Sequence, residues 1–279
     1  MKTRIVVDST ADILPEYLDQ IHTVPLTVSF GEEEYIDGVT MDHRTFYQKL
    51  IETDAMPSTS QASPAAFAEQ YDQAAADDEE VVVITISSKL SGTYQSAMIA
   101  AAGRSSVYVV DSENASVGCG ILVGLALRYL RDGMTASAIA EKLQKDKKKI
   151  VVIALLDTLE YLKRGGRISK AAAFAGGLLN IKPVISIADG EIQLLGKARG
   201  SKMGNNLLAQ QIQKVGGIDF TKPVLLGYTG LSDVLLQKYI EDSSYLWSAS
   251  LDAVRYVSIG SVIGAHAGPG AIAVAFFRK

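Results

Sequence analysis

Short runs of β-branched and other apolar residues alternate with longer helical patterns along the chain. Each run ends near Asp, Ser, Thr or Gly, an arrangement typical of βα units in a mostly parallel sheet. The clearest runs cover residues 4–7, 81–86, 107–110, 150–154, 224–228 and 271–277. The pattern predicts an α/β fold whose mostly parallel sheets are flanked by helices.

Polar residues mark the helix starts between these runs. Ser63 followed by Pro64 predicts a helix that continues through Phe67, because Pro is favoured in the first helical turn. Ser91 and Thr135 predict two further helix starts, because Ser and Thr are favoured as N-cap residues. The helical patterns therefore begin where short polar side chains can cap free backbone amides.

The chain has 279 residues, which is long for one compact core and sufficient for two domains. A charged stretch at 145–149 precedes a new buried strand pattern. We place a boundary there and predict an N-terminal α/β lobe over 1–147 and a C-terminal α/β lobe over 148–279. The lysines at 147–149 have two interpretations, a docking patch or a solvated helix end that complements the helix dipole.

Two strand runs end alike, in Asp8-Ser9 and in Asp111-Ser112. Such short polar residues can cap the following helix. They can also line a crevice at the carboxyl ends of the strands, where open α/β sheets bind ligands. The sequence leaves both interpretations open.

The charge balance narrows the class of partner. The chain has 27 Lys and Arg against 31 Asp and Glu, a net charge of -4. Proteins that bind nucleic acid usually carry a basic excess or stripe. Nucleic acid is therefore not expected as a partner.

The chain carries features of a cytoplasmic protein. Cys119 is the single cysteine, which fits a reducing compartment, and Asp8 interrupts the position where a signal peptide needs its apolar stretch. Residues 256–277 contain no Asp, Glu, Lys or Arg and are long enough to span a bilayer. Several glycines and Pro269 would break such a helix, so we expect no integral membrane segment and predict a cytoplasmic location.

Nucleotide, metal and hydrolase motifs are missing from the sequence. Glycines 118, 120 and 124 miss the dinucleotide fingerprint by one position, and the spacing of Gly190 and Gly196 misses the phosphate loop by one. The three histidines are far apart, one cysteine cannot build a structural zinc site, and no GxSxG nucleophile elbow occurs. We expect no cofactor, no metal site and no catalytic residue.

Three loops rich in hydroxyls and glycines stand out instead. They cover residues 57–64, 87–97 and 264–270, next to helix or strand starts. Hydroxyls and backbone amides at helix starts can bind an anion. The same composition also suits ordinary capping and turns.

These loops belong to a larger set of motifs that resembles the DegV family in order and spacing. The resemblance covers nearly the whole chain from Asp8 to the last strand. Its motifs are Ser58-Thr59-Ser60-Gln61-Ala62-Ser63-Pro64, Leu90-Ser91-Gly92-Thr93-Tyr94-Gln95-Ser96-Ala97, residues 159–169, Asn180-Ile181-Lys182-Pro183 and Gly268-Pro269-Gly270-Ala271. Ala62 departs from the pattern, since many relatives carry proline there.

The resemblance implies a fatty-acid-binding protein with two α/β lobes and a ligand tunnel between or beside them. It also implies a non-catalytic carrier subunit that presents the fatty-acid carboxylate to a separate ATP-dependent fatty acid kinase. Three apolar runs could line the tunnel, at 121–127, 171–179 and 258–263, although each is also a good core segment.

The resemblance also implies which residues meet the carboxylate. Arg164 and Arg167 are expected to hold the lobes or a partner rather than the ligand. A catalytic role is assigned to no residue. The expected carboxylate-binding residues are Thr59, Ser60, Ser91, Gly92, His266 and Arg199.

Two other functions stay open on the sequence. One is a transferase or kinase of small substrates related to the dihydroxyacetone kinases, for which His266 would be the covalent attachment point. The other is a regulatory module in which bound lipid is purely structural. Co-purified acyl chains would separate the carrier from both.

Overall fold

The computed structural model describes residues 2–168, 180–247 and 254–279. Its strands fall into three sheets, of four, six and three strands. The strands are β1 (Lys2–Asp8), β2 (His22–Val24), β3 (Thr27–Phe30), β4 (Glu33–Ile36), β5 (Pro57–Ser60), β6 (Glu79–Thr85), β7 (Val107–Asp111), β8 (Ile150–Leu155), β9 (Ile181–Ala188), β10 (Glu191–Arg199), β11 (Leu225–Tyr228), β12 (Tyr256–Ser258) and β13 (Ile272–Phe277).

Helices lie between and beside these sheets, and short 3-10 helices cover Pro15–Gln20 and Lys147–Lys149. The predicted caps of two helices are confirmed, since the side chains of Ser63 and Thr135 accept hydrogen bonds from backbone amides three residues on. The α-helices are α1 (His43–Glu52), α2 (Pro64–Ala76), α3 (Thr93–Ala101), α4 (Val117–Arg131), α5 (Ala136–Asp146), α6 (Glu160–Arg164), α7 (Ser201–Lys214), α8 (Val234–Asp242), α9 (Ser244–Trp247) and α10 (Ser261–Ala267).

The four-stranded sheet has the order β2-β1-β6-β7, and every pairing in it is parallel. Its central strands β1 and β6 are buried continuous runs of Val and Ile, as expected for a sheet covered on both faces. The prediction of an α/β fold with helix-flanked parallel strands is confirmed here.

The six-stranded sheet corrects one part of that prediction. Its order is β10-β9-β8-β13-β11-β12, and only the pairing of β11 with β12 is parallel. Because β9 and β10 form a hairpin and β13 inserts between β8 and β11, neighbouring strands run in opposite directions. Apolar runs look alike in either direction, so the sequence pattern could not reveal this.

Helix α4 is the central packing element. Its residues are buried from Val117 to Leu127, as expected for a helix that is apolar all round. It packs against β1 and β6 of the four-stranded sheet and against β8, β11 and β13 of the six-stranded sheet. The run 121–127 is therefore core between the two sheets.

The predicted boundary between 147 and 148 falls inside the second 3-10 helix and stays a prediction. The four- and three-stranded sheets use residues up to Asp111, and the six-stranded sheet uses residues from Ile150 onwards. Lys147 itself is buried, pairs with Glu113 at 3.0 Å and donates to the Asp111 carbonyl at 2.7 Å. Neither a docking patch nor a solvated helix end describes this lysine. Below, N-terminal half means residues 2–147 and C-terminal half means 148–279.

The three-stranded antiparallel sheet, of order β4-β3-β5, positions the first motif loop. In it Thr59 pairs with Val28 and Ser60 pairs with Thr27. Strands β3 and β5 contact α10, whose seven residues belong to the C-terminal half. The small sheet therefore carries Thr59 to the junction of the two halves.

Candidate functional site

A cavity of about 390 Å³ lies where the two halves meet, and we call it the main cavity. This volume is within the ~300–1,000 Å³ range of small-molecule sites. Much of its wall is aliphatic, with Val152 and Ala154 from β8, Ile185 and Ile187 from β9, and Ile192 from β10. Such a wall suits an apolar ligand.

One corner of the main cavity is polar. Thr59 Oγ1 lies 2.9 Å from His266 Nε2, and both residues line the cavity. Thr59 comes from β5 of the N-terminal half, and His266 comes from α10 of the C-terminal half. We call this place the polar corner.

The second motif loop also reaches the main cavity. Ser91 and Gly92 line it just before α3, and Ser60 lines it from the end of β5. The Ser91 hydroxyl lies 2.9 Å from the Thr93 hydroxyl and accepts a hydrogen bond from the Thr93 amide at 3.3 Å. The structure thus brings five of the six expected carboxylate-binding residues to one cavity.

Arg199 is the sixth, and its placement differs. It is the last residue of the edge strand β10, its side chain is exposed, and it is not among the described residues that line the main cavity. Because an edge strand borders solvent, a long cationic side chain at its end stays hydrated. A ligand contact by Arg199 stays a prediction that this geometry does not support.

Arg167 lines the main cavity, which the sequence did not lead us to expect. Its Nε donates to the Leu90 carbonyl at 3.0 Å and its Nη1 to the Gly165 carbonyl at 2.7 Å. The bond to Leu90 links the two halves, the role that was expected of Arg167, and the bond to Gly165 lies within the C-terminal half. Arg164 instead pairs with Glu160 on α6. The motif Gly165-Gly166-Arg167 could have indicated from the sequence that Arg167 is a site residue, because it places a cation beside flexible backbone.

His266 is held neutral by its surroundings. Burial first, and the nearby positive charge of Arg167 second, lower the pKa of His266 to about 4. Its Nδ1 is buried and has no hydrogen-bond partner among the described residues. The backbone of Gly165 packs so closely on the ring that a Cβ there would overlap Nδ1. A neutral imidazole can hydrogen-bond a ligand without adding charge.

The three candidate lining runs have separate outcomes. From 258–263, the residues Ile259, Val262 and Ile263 line the main cavity. The run 121–127 is buried core and is absent from the described lining. The run 171–179 lies outside the described residues.

The aspartates at the strand ends organise loops. Asp8 accepts hydrogen bonds from the Thr10 amide and hydroxyl and from the Ile86 amide. Asp111 accepts from the amides of Ser88 and Glu113. Neither aspartate is among the described residues that line the main cavity, so they shape the loops beside it.

Two further observations concern the described part of the chain. Within it, no three His, Cys, Asp or Glu side chains converge in a way that could hold a metal ion. Of its helices, none combines the length and the apolar character that crossing a bilayer requires. The charge-free run 256–277 forms β12, α10 and β13.

Comparison with known proteins agrees with the sequence motifs. The profile described as "Uncharacterised protein, DegV family" matches residues 2–279. The chain belongs to the DegV family. A DegV domain-containing protein of Caldanaerobacter subterraneus is 35% identical over 285 residues, which cover 100% of this chain and 99% of that protein.

Solved structures of similar proteins share the fold. A fatty-acid-binding DegV family protein from Thermus thermophilus superposes with a TM-score of 0.86 at 33% identity, covering 99% of this chain and 100% of that one. A stearic acid-binding protein from Eubacterium ventriosum superposes with a TM-score of 0.87 at 31% identity, covering 100% and 99%. The α/β architecture described above is therefore that of the DegV family.

Proposed function

We propose that this chain buries a long-chain fatty acid in the main cavity and holds its carboxylate at the polar corner. The observation that carries the proposal is an aliphatic cavity that ends at Thr59, His266 and one arginine, Arg167. The relatives from Thermus thermophilus and Eubacterium ventriosum, which bind fatty acids, support it.

The apolar wall supplies the driving force for binding. Each buried methylene contributes roughly 0.8 kcal/mol, so a chain of about 16 carbons gains on the order of 12 kcal/mol before ordering costs. This gain requires that the walls exclude water from the chain. Residues from both halves line the cavity, for example Leu26 from the N-terminal half and Ala273 from the C-terminal half.

The carboxylate needs the opposite environment, because a buried anion has to be met by hydrogen bonds or a positive charge. The hydroxyls of Thr59 and Ser91 can donate to it, and the Gly92 amide is nearby. Arg167 supplies the positive charge, and the neutral imidazole of His266 supplies one N–H. This set discriminates a fatty acid from an uncharged lipid.

We further propose that the protein is a non-catalytic carrier that presents the carboxylate to a separate ATP-dependent kinase. The kinase would transfer the γ-phosphoryl group of ATP to a carboxylate oxygen, giving an acyl phosphate and ADP. The broken phosphate-loop spacing between Gly190 and Gly196 supports this division of labour. A cytoplasmic location suits the free, buried thiol of Cys119.

Native mass spectrometry of freshly purified protein tests the lipid proposal. We expect a mass excess that denaturation releases as a fatty acid. Protein that carries no acyl chain, and that binds none when fatty acids are added, would contradict it and would reopen the small-substrate transferase.

Calorimetry with Mg-ATP tests the carrier role separately. We expect no binding to the isolated chain, and micromolar binding would contradict the division of labour. In a reconstituted kinase assay, His266→Ala should reduce acyl-phosphate formation more than fatty-acid retention, because His266 positions the carboxylate for transfer. Equal losses in both would make His266 a binding residue only.

A further inference from the structure

Asp12 joins the two halves of the molecule through a single carboxylate. It follows β1 and is 5% exposed. Its Oδ2 accepts a hydrogen bond from the Ser116 hydroxyl at 2.6 Å, and its Oδ1 accepts one from the Gly260 amide at 2.7 Å. Ser116 directly precedes α4 in the N-terminal half, and Gly260 directly precedes α10 in the C-terminal half.

These contacts lie next to the main cavity. Ser116 lines it, and so does Ile259, the neighbour of Gly260. The Ile259 carbonyl accepts a second bond across the junction, from the Tyr47 hydroxyl at 2.9 Å. Asp12 therefore holds the start of α10, the helix that carries His266 near its other end.

We propose that Asp12 is a positioning residue that controls how readily the two halves separate to admit and release the fatty acid. In the closed arrangement, which is the one described above, the two halves are packed together, and in the open arrangement they are apart. The charged carboxylate of Asp12 favours the open arrangement, and its protonated form favours the closed one. The proposal rests on the fatty-acid binding proposed above, because it describes how a ligand enclosed by both halves can exchange.

The physical reason is the cost of burying a charge. In the closed arrangement the carboxylate is removed from water, and hydrogen bonds offset that cost only in part. Burial raises the pKa of Asp12 to about 6, although His43, Ser116 and Gly260 act to lower it. A hydrated aspartate has a pKa of about 3.9. The closed arrangement thus binds the proton more tightly, so protonation stabilises it.

Other titratable groups surround Asp12. His43 and Tyr47 face it from α1, Asp37 from the loop before α1, and Cys119 from α4. Burial keeps the pKa of Tyr47 and of Cys119 well above the ordinary values, so both stay neutral. Asp37 is 3% exposed, and its negative charge raises the pKa of Asp12. His43 lies beside Asp12, so the test has to separate the effects of the two residues.

The experiment measures release of radiolabelled palmitate from the loaded full chain to excess phosphatidylcholine vesicles, at pH values from about 5 to about 7.5. Asp12→Asn removes the charge and keeps both hydrogen bonds, because Oδ1 can still accept from Gly260 and Nδ2 can donate to the Ser116 oxygen. At about pH 7.5 the variant should release palmitate at least about tenfold more slowly than the wild type.

The ratio of wild-type to Asp12→Asn release rates should fall about tenfold between about pH 7.5 and about pH 5. Taking the ratio cancels the titration of palmitate and of His266, which both proteins share. A ratio that does not change with pH, or faster release from Asp12→Asn at every pH, would overturn the proposal. The first result would mean that a group other than Asp12 sets the pH dependence of release.

Asp8→Asn is the matched control. Asp8 is 1% exposed and burial raises its pKa as well, but its partners Thr10 and Ile86 are all in the N-terminal half. Asn can accept from only one of the Thr10 and Ile86 amides, so the absolute rates are not the readout. The midpoint of the release profile should equal that of the wild type, and an Asp12-like loss of the pH dependence would contradict the role of the junction. Absence of palmitate binding by the wild type would instead contradict the proposed function.

Ser116→Ala keeps the test decisive if Asp12→Asn does not fold. The Ser116 hydroxyl lowers the pKa of Asp12, so its removal should move the midpoint of the release profile to higher pH. An unchanged midpoint would contradict the proposal.

Discussion

Thr59 Oγ1 and His266 Nε2 lie 2.9 Å apart although 207 positions separate the two residues. The contact crosses from β5 in the N-terminal half to α10 in the C-terminal half. It closes the polar corner of the main cavity, beside Ser91 and Arg167. A carboxylate bound there would meet donors from four separate loops or elements, so its affinity depends on how the halves are held together.

Loss of the two hydroxyls should weaken fatty-acid binding. Thr59→Val removes one donor with little change of shape, and Ser91→Ala removes the other. Each should cost about 1–3 kcal/mol of binding free energy, because a carboxylate oxygen loses its partner in a buried site. Titration calorimetry measures the effect. Thr221→Val is the control, because the Thr221 hydroxyl donates to Asp219 in an exposed turn outside the described cavity wall. Unchanged affinity of the Thr59→Val, Ser91→Ala double variant would show that the carboxylate lies elsewhere.

The two arginines should behave differently. Arg167→Gln should weaken fatty-acid binding by about 1–3 kcal/mol, because the buried anion loses its charged partner. Arg199→Gln should leave the affinity unchanged, because Arg199 is exposed and outside the described cavity wall. Competition with a fluorescent fatty acid measures both variants. The reverse order of effects would restore Arg199 as the ligand contact.

Gly165 should tolerate no side chain. A Cβ there would overlap Nδ1 of His266, and the carbonyl of Gly165 also accepts from Arg167. Gly165→Ala should therefore destabilise the fold by about 1–3 kcal/mol and weaken fatty-acid binding. Gly124→Ala is the control. Gly124 lies in α4, and a Cβ there would have the Tyr17 ring as its nearest neighbour, at 3.3 Å. Urea denaturation and a binding assay on both variants check this, and wild-type behaviour of Gly165→Ala would contradict the close packing.

Acid should destabilise the protein through His266. Its pKa is lowered to about 4 by burial and by Arg167, whereas an unfolded histidine has a pKa of about 6.5. The unfolded chain binds more protons between these values, so this contribution to stability is lost as the pH falls through that window.

The comparison with His266→Gln isolates that contribution. Between about pH 7 and about pH 4.5 the wild type should lose about 2 kcal/mol more of unfolding free energy than the variant. His22→Gln is the comparison. Partial burial and Arg4 lower the pKa of His22 in the same direction, but His22 is exposed, so its difference should have the same sign and a smaller size. Equal acid sensitivity of the wild type and His266→Gln would mean that the imidazole is hydrated.

The sequence by itself determined the local structure and the family. The β-branched runs located β1, β6, β7, β8, β11 and β13, and Ser63 and Thr135 capped the helices that they were predicted to start. These features depend on contacts within a few residues, and local composition records such contacts. The motif order likewise identified the DegV family before any contact was known.

Strand direction and the cavity were decided only by tertiary structure. The antiparallel pairing of β8 with β9 and β13 arises from chain reversals that an apolar run does not encode. The run 121–127 became core, whereas Ile259 and Val262 reached the main cavity, although both segments have the same apolar character.

The chemistry of the site was also decided by long-range packing. The sequence named His266, but its neutral state comes from burial and from the nearby charge of Arg167, which is 99 positions away along the chain. The sequence assigned no role to Asp12, and only the fold places Ser116 and Gly260, 104 and 248 positions away, on its two oxygens. Desolvation and charge coupling act through space, and the distances that set them exist only after the two halves have packed together.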